Sequence, residues 1–583
     1  MKFCQERGAK PKAYSQGTEL ETALRTLLAG SLLGLAAALS ACSSTYYEDG
    51  LPNNQNQAGS ERQSARSESM ARDAAPSGAL HKEAQSVFAQ EMLASFDSDA
   101  LTPVQDTENY AHFDDNPVII VAQQPTSTFG ADVDTASYSN VRRFLNDGRL
   151  PPADAVRVEE LINYFDYDYP RPQAGRPLAL KAETYDSPWK AGAKILKIDL
   201  AAENKDMDRL PPANIVMLID VSGSMQNSDK LPLAKKTMRM MLERMRPTDR
   251  ISIVTYASGV QVVLPSTPAA DKDAILSAID KLQAGGSTSG GAAIKLAYEQ
   301  AEKNLIKNGV NRIILCSDGD FNVGVVDPEA LKTLVSEKRK HGVSLSVFGF
   351  GTGNYNDAMM EKIADSGDGN YTYIDGDKEA RRAARQQLES TLATVAKDVK
   401  AQVEFNPAQV KEYRQIGYEN RALRREDFDN DNVDSGDVGA GQNVTVLYEY
   451  VPVGAQGWNS DLRYQQQAPV ASGKSSEVAY IKIRYKGPQG GASNLFELAV
   501  PSGRAVPLAQ AGADVRFAVA VASYGQLLRG GNMTGTMTWE DVERLAKGSV
   551  GADKEGFRSE FVELVGIAKR LSASARPNPD AAD

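Results

Sequence analysis

Between residues 214 and about 397 short apolar runs alternate with stretches of helical periodicity, and this alternation limits the possible folds more than any other feature. Residues 215–219, 251–256, 312–316, 344–348 and 371–374 read as strands. Strands that alternate with helices pack as a mostly parallel sheet covered by helices on both faces. After the first strand, Ala234, Met238, Met241, Leu242 and Met245 fall on one helical face. Their three-and-four spacing, with no histidine among them, marks a packing stripe rather than a copper site.

At 583 residues the chain is too long for a single core, so other units must flank this one. Residues 178–205 and 398–505 alternate in strand fashion, as in Ile195-Leu-Lys-Ile-Asp-Leu200, and lie on either side of the α/β unit, residues 211–397. That order predicts an α/β unit inserted in a β-sandwich, with residues 178–200 pairing against strands beyond Lys397. Residues 116–177 carry helical spacing at Val141, Phe144 and Leu145 and again at Val158, Leu161, Ile162 and Phe165, which predicts a small accessory helical region. Residues 506–573 predict a C-terminal helical region. Residues 42–115 are rich in Ser, Ala, Gln, Asn and Asp, bury too little apolar surface to fold, and read as a flexible tether; residues 574–583 read as a disordered tail.

The first residues differ from all of this. Basic Lys2, Arg7, Lys10, Lys12 and Arg25 precede an apolar run, residues 27–39, that is short for a membrane span, so residues 1–41 read as a signal peptide. Its end, Leu39-Ser-Ala-Cys42, resembles the lipobox of bacterial lipoproteins. That resemblance implies cleavage before Cys42, lipidation of its sulfur, and a cell-envelope protein facing the periplasm; Ser43 and Ser44 favour the outer membrane over the inner. Buried acyl chains hold such a protein at a membrane. Only Cys4, Cys42 and Cys316 occur, so the processed chain has no internal disulfide, and Cys316, in the apolar run Ile313-Ile-Leu-Cys316, reads as a core residue. A formal net charge of -11 argues against nucleic acid as a partner.

Chemistry concentrates at the ends of the predicted strands, where open α/β sheets bind ligands. The first strand ends in Asp220-Val-Ser222-Gly-Ser224. A second segment, Gly285-Gly-Ser-Thr288, and a third, Ile313-Ile-Leu-Cys-Ser317-Asp318, fall on turns of the same kind. Together they offer only oxygen ligands. Asp-x-Ser-x-Ser, then Thr, then Asp, in this order and context, resembles the metal ion-dependent adhesion site of von Willebrand factor type A domains. The resemblance implies a metal site at Asp220, Ser222, Ser224, Thr288 and Asp318, with one coordination position left for an acidic side chain from a protein partner. Hard oxygen donors and few carboxylates suit Mg²⁺, with Mn²⁺ or Ca²⁺ as alternatives. Further segments, Asp132-Val-Asp-Thr-Ala-Ser-Tyr138, Asn163-Tyr-Phe-Asp-Tyr-Asp-Tyr-Pro170 and Ile416-Gly-Tyr-Glu-Asn-Arg421, resemble bacterial lipoproteins of the YfbK type, which implies accessory regions on both sides of the type A domain.

Other chemistries find less support. Gly349-Phe-Gly351-Thr-Gly353 lacks the dinucleotide spacing and reads as a turn at the sheet edge. The acidic stretch Asp427-Phe-Asp-Asn-Asp-Asn-Val-Asp434 lacks the glycine and glutamate of a calcium loop and reads as solvated. His81, His112 and His341 are the only histidines and assemble into no catalytic or zinc constellation. The expected function is therefore metal-dependent binding of a protein partner, for adhesion or assembly, without catalysis. A hydrolase of envelope polymer or peptide, and a structural spacer with a stabilising ion, are the alternatives.

Overall fold

A strand buried at every position needs cover on both faces, and Ala213–Asp220 is such a strand. In the computed structural model it lies inside a six-stranded sheet ordered Tyr371–Ile374, Ser344–Phe350, Val310–Ser317, Ala213–Asp220, Arg250–Tyr256, Val260–Pro268. Every neighbouring pair is parallel except the last, where Val260–Pro268 runs antiparallel. The structure describes residues 107–206, 210–287, 290–319, 328–391, 393–460, 476–503 and 505–575. Thr288, the leader with Cys42, and His81 lie outside the described residues.

Each face of this sheet has its own core. On one side Ala234, Met238, Met241 and Leu242 of the helix Leu231–Arg244 pack with Ile275, Ile279 and Ala383, so the methionine stripe is packing. On the other, Ile294 and Tyr298 of Gly290–Lys303 pack with Val335, Met360 and Ile363. Cys316 is buried on the first side, and burial pushes its thiol well above the ordinary cysteine range.

The flanking strands form a sandwich. Lys194–Ala202 pairs antiparallel with Asn443–Pro452, Leu200 opposite Val444, so the chain enters and leaves the α/β unit through the same β structure. The second sheet is built on Thr394–Phe405, and Leu196, Ile198, Val403, Phe405, Tyr448 and Ile481 fill the space between. Residues 116–177, expected to be helical, also supply strands. Thr126–Gly130 pairs with Thr394–Phe405, and Ile119–Ile120 pairs with Val410–Ile416. The reason is local: the run Thr-Ser-Thr-Phe-Gly favours extended backbone, and helical spacing begins only at Ala136. The helices Ala136–Asn146 and Val158–Asn163 then share one core with Ala513–Leu528, Trp539–Lys547 and Phe557–Ala575. Phe165 lies edge-on to Phe517 at 5.0 Å and to Phe561 at 5.6 Å.

Buried arginines hold these units together. Arg142 reaches Asp375 at 2.6 Å, Glu379 at 2.8 Å and Glu560 at 3.0 Å, joining the accessory helix to the α/β unit and to the C-terminal helix. Arg421 reaches Asp132 at 2.8 Å and Asp365 at 2.6 Å. Arg157, fully buried, donates to Asp357 at 2.6 Å and also pairs with Glu160. Removing one partner of such a pair leaves a charge stranded in the interior. Arg157→Met is therefore expected to cost about 3–5 kcal/mol, read as a lower midpoint in denaturant unfolding of the parent and variant chains.

Candidate functional site

Asp220 is the last residue of its strand, and the parallel register that sets Ile219 opposite Cys316 brings Ser317 and Asp318 alongside it. The Asp220 carboxylate accepts from the Ser222 backbone N–H at 2.8 Å and from the Ser317 hydroxyl at 3.2 Å, which fixes its plane and starts the turn. Ser222 Oγ lies 3.0 Å from Ser224 Oγ. Asp220 and Asp318 are both 0% exposed and Ser222 is 2% exposed. Burial pushes Asp220 up to about 6, with hydrogen bonds from Ser222 opposing and the Asp318 charge adding to the rise.

The segment leading to Thr288 lies across the serine turn. Gly285 N–H donates to Val221 O at 2.8 Å, and Gly223 N–H donates to Gly286 O at 2.9 Å. Gly286 has a φ of 86°, and a Cβ there would collide with Ser258, so only glycine permits this approach. The sequence-predicted residues Asp220, Ser222, Ser224 and Asp318 thus share one edge of the sheet.

Two further residues reach the site that sequence reasoning did not single out. Lys230, 3% exposed, places Nζ 3.0 Å from Asp318 Oδ2 and 2.7 Å from Asn354 Oδ1. Asn354 Nδ2 donates to the same Asp318 oxygen at 3.2 Å. Asn354 belongs to the glycine-rich loop after Ser344–Phe350, read from sequence as an edge turn. The available signal was that this strand neighbours Val310–Ser317, so its end borders the site.

That loop is held from outside. Thr107 N–H donates to Gly353 O and Asn109 N–H donates to Tyr355 O, both at 2.9 Å. Glu108 accepts from Gly353 N–H at 2.9 Å while pairing with Arg143 at 2.7 Å. Residues 107–115, expected as the end of a flexible tether, are therefore docked at least over Thr107–Asn109, because backbone pairing and a buried ion pair offset the ordering entropy that composition alone could not.

Among the described residues no group of three or more His, Cys, Asp or Glu is placed to hold a metal. The site above has two carboxylates, and the rest of its oxygens come from hydroxyls. This donor set fits a small hard cation that takes serine, threonine and water oxygens beside few charges, as Mg²⁺ and Mn²⁺ do. The two described histidines face other partners: His112 Nδ1 lies 2.9 Å from Asp154, and His341 Nδ1 lies 3.1 Å from Glu302. The carboxylates of the acidic stretch turn toward arginines, with Asp431 3.0 Å from Arg484 and Asp434 2.5 Å from Arg339.

Nearby Asp437 is half-buried, and desolvation pushes its carboxyl up to about 7, against the pull of Lys397. Its folded value lies above its unfolded one, so the stability it contributes is complete below the ordinary carboxylate range and is lost as pH rises through about 7. Asp437→Asn removes that loss. The variant is expected to be more stable than the parent at pH 8, with the difference closing as pH falls toward 4, measured by thermal unfolding across that range.

Three family profiles match the chain: one described as von Willebrand factor type A domain over residues 214–388, one described as von Willebrand factor over residues 104–197, and one described as the C-terminal region of uncharacterized protein YfbK over residues 390–571. Uncharacterized protein YfbK of Escherichia coli (strain K12) is 48% identical over 470 residues, covering 79% of this chain and 81% of that one. Human inter-alpha-trypsin inhibitor heavy chain H4 is 29% identical over 161 residues, 26% of this chain and 17% of that one. Among solved structures, von Willebrand factor type A from Catenulispora acidiphila matches with a TM-score of 0.37 and 15% identity, covering 66% of this chain and 88% of that one. The chain belongs to the YfbK family and carries a von Willebrand factor type A domain between two accessory regions.

Proposed function

We propose that the chain binds a protein partner through a divalent cation held at the end of the α/β sheet, in adhesion or complex assembly, and that it does so without turnover. The observation that carries this reading is the pair of buried carboxylates, Asp220 and Asp318, brought to one sheet edge beside the Ser222 and Ser224 hydroxyls. A type A domain supports a role in protein interaction, and the donor set supports the ion. Ser222, Ser224 and Thr288 would hold Mg²⁺, or Mn²⁺ or Ca²⁺ in its place, with Asp220 and Asp318 acting partly through water.

When bound, the ion supplies an electrophilic position that a carboxylate from the partner fills. The chain's own residues do the positioning. Ser222 N–H and Ser317 Oγ fix the Asp220 plane, and the Gly285–Gly286 backbone lies against Val221 and Gly223, next to Thr288 in the chain. Few protein charges leave an incoming carboxylate little repulsion to overcome.

The test is a pull-down from envelope extract with the intact chain in Mg²⁺, in EDTA and as Asp220→Ala. A protein retained by the parent chain in Mg²⁺ and lost under both other conditions is the expected result. Retention that ignores EDTA and Asp220→Ala would sink metal-mediated binding and move the interaction to the accessory regions.

The reading places the chain in the cell envelope, anchored by lipid on Cys42, with the outer membrane favoured. Cys42→Ala is expected to move the chain from the membrane fraction to the soluble fraction on cell fractionation; a variant that stays with membranes would show another means of attachment.

A further inference from the structure

A lysine buried beside a candidate metal ligand is costly unless it has work there, since burial penalises its ammonium and three donors must find acceptors. Lys230 is seated by construction. Its stem runs against Gly351, whose φ is 83° and whose added Cβ would overlap three carbons of the lysine. Its Nζ meets Asp318 at 3.0 Å and Asn354 at 2.7 Å, and Asn354 in turn donates to Asp318. Glycine, asparagine and lysine therefore form one seat that presents a fixed cation to one of the two site carboxylates.

We propose that Lys230 is a resident counter-cation of this site, which sets its charge and lowers its affinity for a divalent ion. The inference rests on the metal reading given above. Asp220 and Asp318 bring two negative charges and Lys230 returns one, so the site without an ion carries a net single negative charge. A divalent ion then leaves it with a net positive charge, whereas the aspartates alone would leave it neutral. Two consequences follow from Coulomb repulsion in a poorly screened interior. The ion binds more weakly than the two carboxylates alone would dictate, and the loaded site favours an anion at its open position. Without the ion, the ammonium keeps Asp318 in place by holding its charge in the interior.

The experiment is calorimetric titration of the intact chain with Mg²⁺ alone, comparing the parent with Lys230→Met and Lys230→Gln. Methionine keeps the apolar stem against Gly351, and glutamine keeps a donor for Asp318, so a folding failure in one leaves the other to decide. Each folded neutral variant is expected to bind Mg²⁺ about tenfold more tightly than the parent. Binding by the variants where the parent binds none would also support the proposal. Affinity that is unchanged or weaker in a folded variant, with the parent binding Mg²⁺, overturns the role of Lys230 and leaves the metal site standing. No binding by the parent or by either variant overturns both.

Discussion

Carrying two carboxylates into a protein interior side by side is unfavourable unless something positive meets them. The parallel register of Ala213–Asp220 and Val310–Ser317 does this with Asp220 and Asp318, and much of the surrounding structure follows from it. The serine turn supplies N–H and hydroxyl dipoles, Lys230 supplies a charge, and Asn354 ties the charge to its carboxylate. Strands buried on both faces make the edge stiff enough to hold these groups together, because side chains at the ends of such strands have little room to relax.

The accessory units are not passive attachments. Arg142, Arg157 and Arg421 each bind carboxylates on more than one unit, so the α/β unit meets the helical core and the sandwich across desolvated ion pairs, while the helical core and the sandwich share apolar packing at Ile195, Ile416 and Leu447. Such contacts are demanding in geometry and contribute orientation as much as stability. They fix how the type A domain is presented relative to the rest of the chain.

Much of this was legible in the sequence. Apolar runs alternating with helical periods gave away the parallel sheet, and strand-like alternation on both sides of it marked the insertion, because a buried sheet face needs apolar residues at every second position. Asp220, Ser222 and Ser224 were legible because they follow directly on an apolar strand. Lys230 and Asn354 were not, since what distinguishes them is a contact with Asp318 across 88 and 36 residues of chain, and neither belongs to the Asp-x-Ser-x-Ser pattern. The shared core of the first and last helices was hidden for a similar reason: each helix announces an apolar face but not its partner. Residues 107–109 were misread because composition reports how much a segment can bury by itself, not what a neighbouring loop offers it.

That small docked segment has a mechanical meaning. Thr107, Glu108 and Asn109 add a short parallel rung to the loop Gly351–Asn356, and Asn354 lies within that loop. A pull on Thr107 would be met by its backbone hydrogen bond to this loop and, through its neighbours, by the Glu108–Arg143 pair. Asn354, which donates to Asp318, therefore sits in a loop whose position is held in part by a segment outside the site.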